Sequence, residues 1–337
     1  MIEIITAKNE WNLVLDEIGV YDYYSTYDYH MISNTNGETP IMVKYTQGDI
    51  VIGLPLLLRT IDNTPYRDAT SVYGYAGPIS KNISDDFDNT MFRKTLFDFF
   101  EEQKIVSVFS RLNAFLPHQD TVLRSIGEIK EKGDVVMIDL SQSLEAQRQE
   151  YQKRLKSQIN RARRLCNVRK AISGDDVAAF INLYYENMER VDAKKYYFFS
   201  DDYFYKFTHN DHSEVEIFLA SLIETGEVIS GAMFLKTNDI MQYHLSGTKT
   251  DHMDTGALKL LIDEARIEGT NENYNVLNLG GGLGSREDSL LRFKMSFSKK
   301  TKKFSVWQCI ANKEVYDELS ASSKSEDAEF FPKYRNP

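Results

Sequence analysis

The chain has 337 residues, 42% hydrophobic and 27% charged, with 40 basic against 50 acidic side chains and a formal net charge of -10. Such a composition is that of a globular protein, and at roughly 150 residues per domain it predicts two domains, each able to bury its own core. The longest apolar run, 50–58, is broken by Gly53 and Pro55 and falls short of a membrane span, the acidic balance argues against a dedicated duplex-DNA binder, and Cys166 and Cys309 form no CxxC pair for zinc or a disulfide framework.

Residues 1–11 include Glu3, Lys8 and Glu10 and show no secretory pattern, so a cytoplasmic location is expected. After an aromatic, acidic stretch at 21–30, two β-rich runs, 41–45 and 49–61, flank the turn signal Gln47-Gly48-Asp49 and predict a hairpin. A strand-and-loop segment at 68–79 follows, then an amphipathic helix over 89–103, with Met91, Leu96, Phe99 and Phe100 near helical spacing. Strands are expected at 105–110 and 135–140, and strands alternating with helices predict a mixed α/β sheet.

Composition changes at Leu144, and the domain boundary is placed just before it, giving domains 1–143 and 144–325 and a loose tail, 326–337. From 151 to 170 the chain carries Lys153, Arg154, Lys156, Arg161, Arg163, Arg164, Arg169 and Lys170 with no acidic residue, Gly or Pro, which reads as one basic helix. A helix over 175–191, an aromatic stretch over 196–207, a strand over 216–223 and a hairpin, 228–237 and 240–248 about Asn238-Asp239, come next. The second half then offers a helix over 255–269, with Leu258, Leu261, Ile262 and Ala265 on one face, and a strand over 275–279. The order strand, strand, helix, strand occurs in both halves, as pattern only.

The stretch 240–297 carries the most chemistry. A strand ending in a loop that feeds a helix offers backbone N–H groups and a positive dipole end to an anion. The next strand ends in Gly280-Gly281-Gly282, where a ligand or another backbone can approach closely. With Ser285 in its last place, this run is no GxGxxG fingerprint.

YHLSGT (243–248), LGGG (279–282) and DSLLRFKMSF (288–297), with DATSVYGYAGP (68–78) and YYENMERVDAKKYYFF (184–199), resemble GNAT-type acyltransferases of the branch related to the Fem (FemAB-like) peptidyltransferases. The resemblance implies twin GNAT-like α/β domains side by side, with a cleft for donor and acceptor. It implies N-acylation from acetyl-CoA or another acyl-CoA, or from an aminoacyl-tRNA. In that fold two central strands splay apart and the donor ester or thioester sits in the gap.

His244 lies on the strand that by order carries a general base in such enzymes, and an ordinary imidazole pKa near 6.5 suits that task. Lys294, in a short helix begun by Asp288, resembles the lysine of the Fem-type FK motif and would steady an oxyanion or phosphate. Tyr73, Tyr75, Arg111, Arg190 and Ser246 are candidate substrate ligands, the tyrosines by stacking and the arginines as phosphate or carboxylate clamps. Gly256 and Ala257, with Gly280 and Gly281, are candidate cofactor contacts, although the loop His252-Met253-Asp254-Thr255-Gly256-Ala257 departs from the pyrophosphate pattern and Asp254 would repel a diphosphate. No metal is implied.

The reading is an N-acyltransferase acting on an amino group of a cell-surface polysaccharide or cell-wall precursor, with a nucleotide- or lipid-linked sugar as acceptor. The alternatives are an aminoacyl-tRNA-dependent transferase, with tRNA on the basic helix, and a non-catalytic twin-GNAT binding module. Oligomeric state is left open.

Overall fold

In the computed structural model, which describes residues 1–34, 37–207, 214–285, 287–321 and 330–336, strand β1 (Ile2–Ile5) leads into helix α1 (Lys8–Ile18). Trp11, Val14, Leu15 and Ile18 recur at helical spacing and bury one face of α1, and Gly19 ends it in the left-handed conformation (φ 74°). Helix α2 (Tyr27–Ser33) is capped by the Thr26 hydroxyl. Strands β2 (Thr39–Gln47) and β3 (Ile50–Thr60) form the expected hairpin, turning at Gly48 (φ 58°). The first half continues through β4 (Arg67–Thr70), β5 (Ile79–Lys81), α3 (Thr90–Glu102), β6 (Ile105–Arg111) and α4 (Gln119–Leu123) to the long strand β7 (Glu128–Asp139).

The second half runs α5 (Leu144–Glu150), α6 (Lys153–Leu165), β8 (Cys166–Lys170), α7 (Gly174–Arg190), α8 (Asp201–Phe207), β9 (Glu214–Leu222), β10 (Val228–Thr237) and β11 (Ile240–Thr248). Helix α9 (Ala257–Asn271), β12 (Val276–Gly280), α10 (Ser289–Lys294), β13 (Thr301–Ile310) and α11 (Lys313–Ala321) complete it. The basic segment is therefore not one helix. It turns into a strand at Cys166, because Cys166 to Lys170 pair with Leu222 to Phe218 on β9.

Contacts divide the chain into two units, Met1–Lys132 with Lys303–Pro337, and Gly133–Lys302. The division falls inside β7 and not before Leu144, where the change in composition marks only the start of α5. In unit 1 the strand order is β1-β2-β3-β4-β6-β13, with β5 on β3, and only β4 and β6 run parallel. Phe92, Leu96, Phe99 and Phe100 of α3 pack with Ile52, Leu54, Leu56, Trp307 and Cys309. The described tail, 330–336, is docked: the Tyr334 and Ser107 hydroxyls are 2.7 Å apart, and Arg335 Nε lies 2.8 Å from the fully buried Asp68, which also holds Arg59 at 2.7 Å. This corrects the loose-tail expectation for those residues, whereas 326–329 and 337 lie outside the described residues.

Unit 2 has the order β7-β12-β11-β10-β9-β8, in which only β11 and β12 are parallel. Leu155, Ile159 and Ala162 of α6 and Leu260, Leu261 and Ala265 of α9 share a core with Phe234, Met241 and Leu277. Helix α7 packs against β11 so closely that a side chain at Gly247 would collide with the Leu183 carbonyl.

Candidate active site

The pairing of β11 with β12 lasts three positions and ends at Gln242 opposite Asn278, whose side chains close the last rung at 2.7 Å. Beyond it β11 runs on to Thr248, while β12 ends at Gly280 (φ 76°), so the two strands part at their C-terminal ends. On its other side β11 carries a bulge: Met233 faces Leu245 and Phe234 faces Tyr243, which makes His244 the extra residue. A bulge twists and bends its strand and re-aims the side chains after it. Here it brings the Tyr243 hydroxyl within hydrogen-bond reach of Ser246 Oγ, three residues on.

Lys294 enters this site from α10. Asp288 sets the helix, accepting the Leu291 N–H at 2.8 Å, and its other oxygen accepts the Leu283 N–H at 2.9 Å, which ties the glycine loop to the helix start. The Lys294 ammonium donates to the Gly281 carbonyl at 2.7 Å and lies 6.0 Å from the centre of the Tyr243 ring. The side chain is buried, and burial pulls its pKa down to about 8, with the Asp288 carboxylate opposing the shift. Burial likewise raises the Tyr243 phenol to about 12, so it stays protonated. Gly281 accepts no side chain because the Asp134 carbonyl of β7 lies against it.

His244 sits beside Tyr203 and Phe207 of α8, with Nε2 3.2 Å from the Tyr203 hydroxyl and the ring 5.2 Å from Phe207. Burial lowers its pKa to about 3. The expectation of an ordinary imidazole near neutrality therefore does not hold: His244 is uncharged, but a weak base. Arg190 is spent inside the fold, donating to the Thr248 carbonyl at 2.8 Å and to Asn187, which pins the end of α7 to the end of β11. Gly256 (φ 79°) and Ala257 begin α9, yet α6 lies over this turn, with the Gln158 carbonyl against Gly256, and Asp254 pairs with Arg161 at 3.6 Å.

Tyr73, Tyr75 and Arg111 lie in unit 1, again past the end of a parallel pair. The β4 and β6 register ends at Thr70 opposite Phe109, and the chains meet once more at Ala76 and Leu112. Ser71 Oγ accepts the Arg111 N–H at 3.1 Å in between. The Arg111 guanidinium lies 5.5 Å from the Tyr73 ring centre and has no acidic partner among the described residues. The Tyr73 carbonyl accepts the Tyr29 hydroxyl at 2.7 Å, the Tyr75 ring packs edge-on to Tyr24 and Phe304, and Gly74 (φ 114°) leaves room for Tyr24. The structure thus groups His244, Ser246 and Lys294 in one unit and Tyr73, Tyr75 and Arg111 in the other.

No family model and no curated protein sequence matches the chain. Solved structures do. FemX, a Fem-family peptidyltransferase, superposes with a TM-score of 0.72 at 12% identity over 94% of this chain and 99% of that one. L-PGS from Bacillus licheniformis gives 0.60 at 13% identity, covering 91% and 93%. A tandem GNAT protein from the clavulanic acid biosynthesis pathway gives 0.50 at 10%, covering 93% and 99%. The fold is a tandem GNAT-like fold related to that of the Fem enzymes.

In GNAT-like terms, the parting of β11 from β12 is the splay that the resemblance led one to expect, and Lys294 bridges its two sides. Tyr243 was not singled out from the sequence, nor were Tyr203 and Phe207. Their signal was faint, because strict strand alternation puts Tyr243 and Ser246 on opposite faces and only the bulge reunites them. Among the described residues there is no His, Cys, Asp or Glu group able to hold a metal, and no helix long and apolar enough to cross a membrane.

Proposed function

We propose that the chain is an N-acyltransferase, moving an acyl group from an activated ester or thioester to an amino group of a cell-surface polysaccharide or cell-wall precursor. The observation that supports it most is the Lys294 ammonium, buried in the strand splay between the Gly281 carbonyl and the Tyr243 ring. When an amine attacks an acyl carbonyl, the oxygen gains negative charge, and a fixed cation in a dry site stabilises that charge far better than water does. The same cation could instead hold a donor phosphate.

His244 is assigned a positioning role against Tyr203, since a pKa near 3 leaves it too weak to take a proton from an alkylammonium. The acceptor amine arrives as its free base, and as the new C–N bond forms the donor C–O or C–S bond breaks, the proton that the amine loses leaving on the departing alcohol or thiol. Arg111 and Tyr73 form a candidate ligand site within unit 1, where an uncommitted guanidinium over an aromatic face suits a phosphate or carboxylate beside a sugar ring. The similarity to FemX and to a tandem GNAT protein supports both an aminoacyl ester on tRNA and an acyl-CoA as donor. Asp254 at the start of α9 weighs against a CoA diphosphate seated there.

Thermal-shift titration with acetyl-CoA and, separately, with aminoacyl-tRNA tests the reading. Stabilisation by one donor is expected, with Lys294→Met lowering turnover at least about 100-fold, as loss of a transition-state donor does. Silence from both donors overturns transfer chemistry and leaves a ligand-binding module.

A further inference from the structure

The outward ridge of α6 is a basic helix face in an acidic chain, and its cations are not used alike. Arg163 is consumed by Asp263 and Glu264, and Lys156 caps the Gln149 carbonyl. Past the end of α6, Arg169 is held by Asp176 and Lys170 by Glu216 and Glu268. Lys153, Arg154 and Arg164 have no acidic partner among the described residues, and Arg161 holds only the exposed Asp254 at 3.6 Å. Lys153, Ser157, Asn160, Arg161 and Arg164 recur at helical spacing opposite the buried Leu155, Ile159 and Ala162, and all are exposed. Small polar residues between the cations leave the ridge unobstructed along its length of about 20 Å.

Beside this ridge lie exposed aliphatic side chains. Leu165 is 37% exposed and Ile223 54%, and the two are neighbours through the Ile223 N–H, which donates to the Leu165 carbonyl at 2.9 Å. Met253, 52% exposed, lies on the 3-10 turn Thr250–Thr255 that packs on α6 and carries the Asp254 partner of Arg161.

We propose that the α6 ridge is a docking surface for an anionic lipid bilayer, with Lys153, Arg154, Arg161 and Arg164 meeting headgroup phosphates and Leu165, Ile223 and Met253 dipping among the acyl chains. Charge complementarity selects the occupant: in a chain of net charge -10, Lys153, Arg154 and Arg164 stand exposed on one helix without an acidic partner among the described residues, which suits an anionic surface. The aliphatic flank selects a bilayer over RNA, because Leu, Ile and Met enter hydrocarbon but offer no ring on which a base can stack. The surface does not depend on the transfer reaction, and its test needs no turnover.

Co-sedimentation of the full chain with phosphatidylglycerol–phosphatidylcholine vesicles, against phosphatidylcholine alone, is the experiment. Binding that needs phosphatidylglycerol and fades with added salt is expected. Each lost cation should weaken it about fivefold, so Arg154→Glu with Arg164→Glu should cost more than about twentyfold. Leu165→Gln with Ile223→Gln should weaken binding to the same vesicles without altering its salt dependence. All four positions are exposed, so the fold should survive, and far-UV circular dichroism checks it. Absence of vesicle binding, or binding that the double arginine variant leaves unchanged, overturns the proposal. So does salt-sensitive capture of an RNA by the same arginines with no vesicle binding.

Discussion

Replacing Lys294 by methionine should abolish function and yet make the protein more stable. The ammonium is buried and its pKa falls from 10.5 to about 8, so that folding disfavours its charged form by about 3 kcal/mol. Methionine has nearly the same length and carries no such penalty. It gives up the charge-assisted bond to the Gly281 carbonyl, which is worth about 2 kcal/mol. The net expectation at pH 7 is a variant about 1 kcal/mol more stable than the wild type. The pH dependence gives the reasoning its sign. Between pH 8 and the ordinary lysine value of 10.5 the unfolded chain holds a proton that the folded one has released, so wild-type stability rises with pH across that window. Methionine does not titrate, and the advantage of the variant should shrink and reverse toward pH 10.5. Urea unfolding of both proteins at pH 7 and near pH 10 measures this. A variant that is less stable than wild type at pH 7, by the same margin at both values, would refute the claim that the fold sustains a strained cation here.

Two further outcomes follow from buried groups in unit 1. His30 is fully buried, with Nδ1 2.9 Å from the Thr26 carbonyl, and burial lowers its pKa from 6.5 to about 4. The His30 contribution to stability should therefore be flat above pH 6.5 and fall by about 3 kcal/mol as the pH drops to 4, and His30→Phe should remove that part of the slope in paired urea melts. Arg335→Ala should destabilise the protein by about 1–3 kcal/mol in urea unfolding, because the fully buried Asp68 then keeps only Arg59 as an ion-pair partner among the described residues; a change near zero would mean that the tail contact is idle.

Much of the architecture was legible in the letters, for physical reasons that can be named. The hairpins announced themselves because Gly48 and Asn238 occupy two-residue turns at positive φ, where few residues are comfortable. The helix over Thr90–Glu102 was visible through its apolar spacing. Past Leu165 the basic segment carries no signal of its strand, since cations with one Val and one Cys have no strong period, and only pairing with β9 makes Cys166–Lys170 a strand. Tertiary contact also decided the site. Arg190 and Arg111 look alike in sequence, yet one is consumed by the Thr248 carbonyl and the other lies uncommitted over Tyr73. His244 stood out as an imidazole of ordinary basicity, and no local pattern could reveal that Tyr203 and Phe207 would enclose it.

The two units repeat one device and end it differently, which explains why the proposed chemistry is assigned to the second. Each has a single parallel strand pair whose members part at their C-terminal ends. In unit 1 the parting is sewn up again: the Ser71 hydroxyl takes the Arg111 N–H, and the chains rejoin at Ala76 and Leu112 within a few residues. In unit 2 the bulge at His244 carries β11 away, and what spans the two sides is the end of a lysine side chain. A hydroxyl that closes a backbone ladder costs the fold little and offers a substrate nothing. A desolvated ammonium does the reverse, since it opposes folding at neutral pH and gains most when an anion arrives beside it. A cation retained against its own burial cost is more readily understood as serving a ligand than as serving the fold, and the paired melts of Lys294→Met weigh those two alternatives directly.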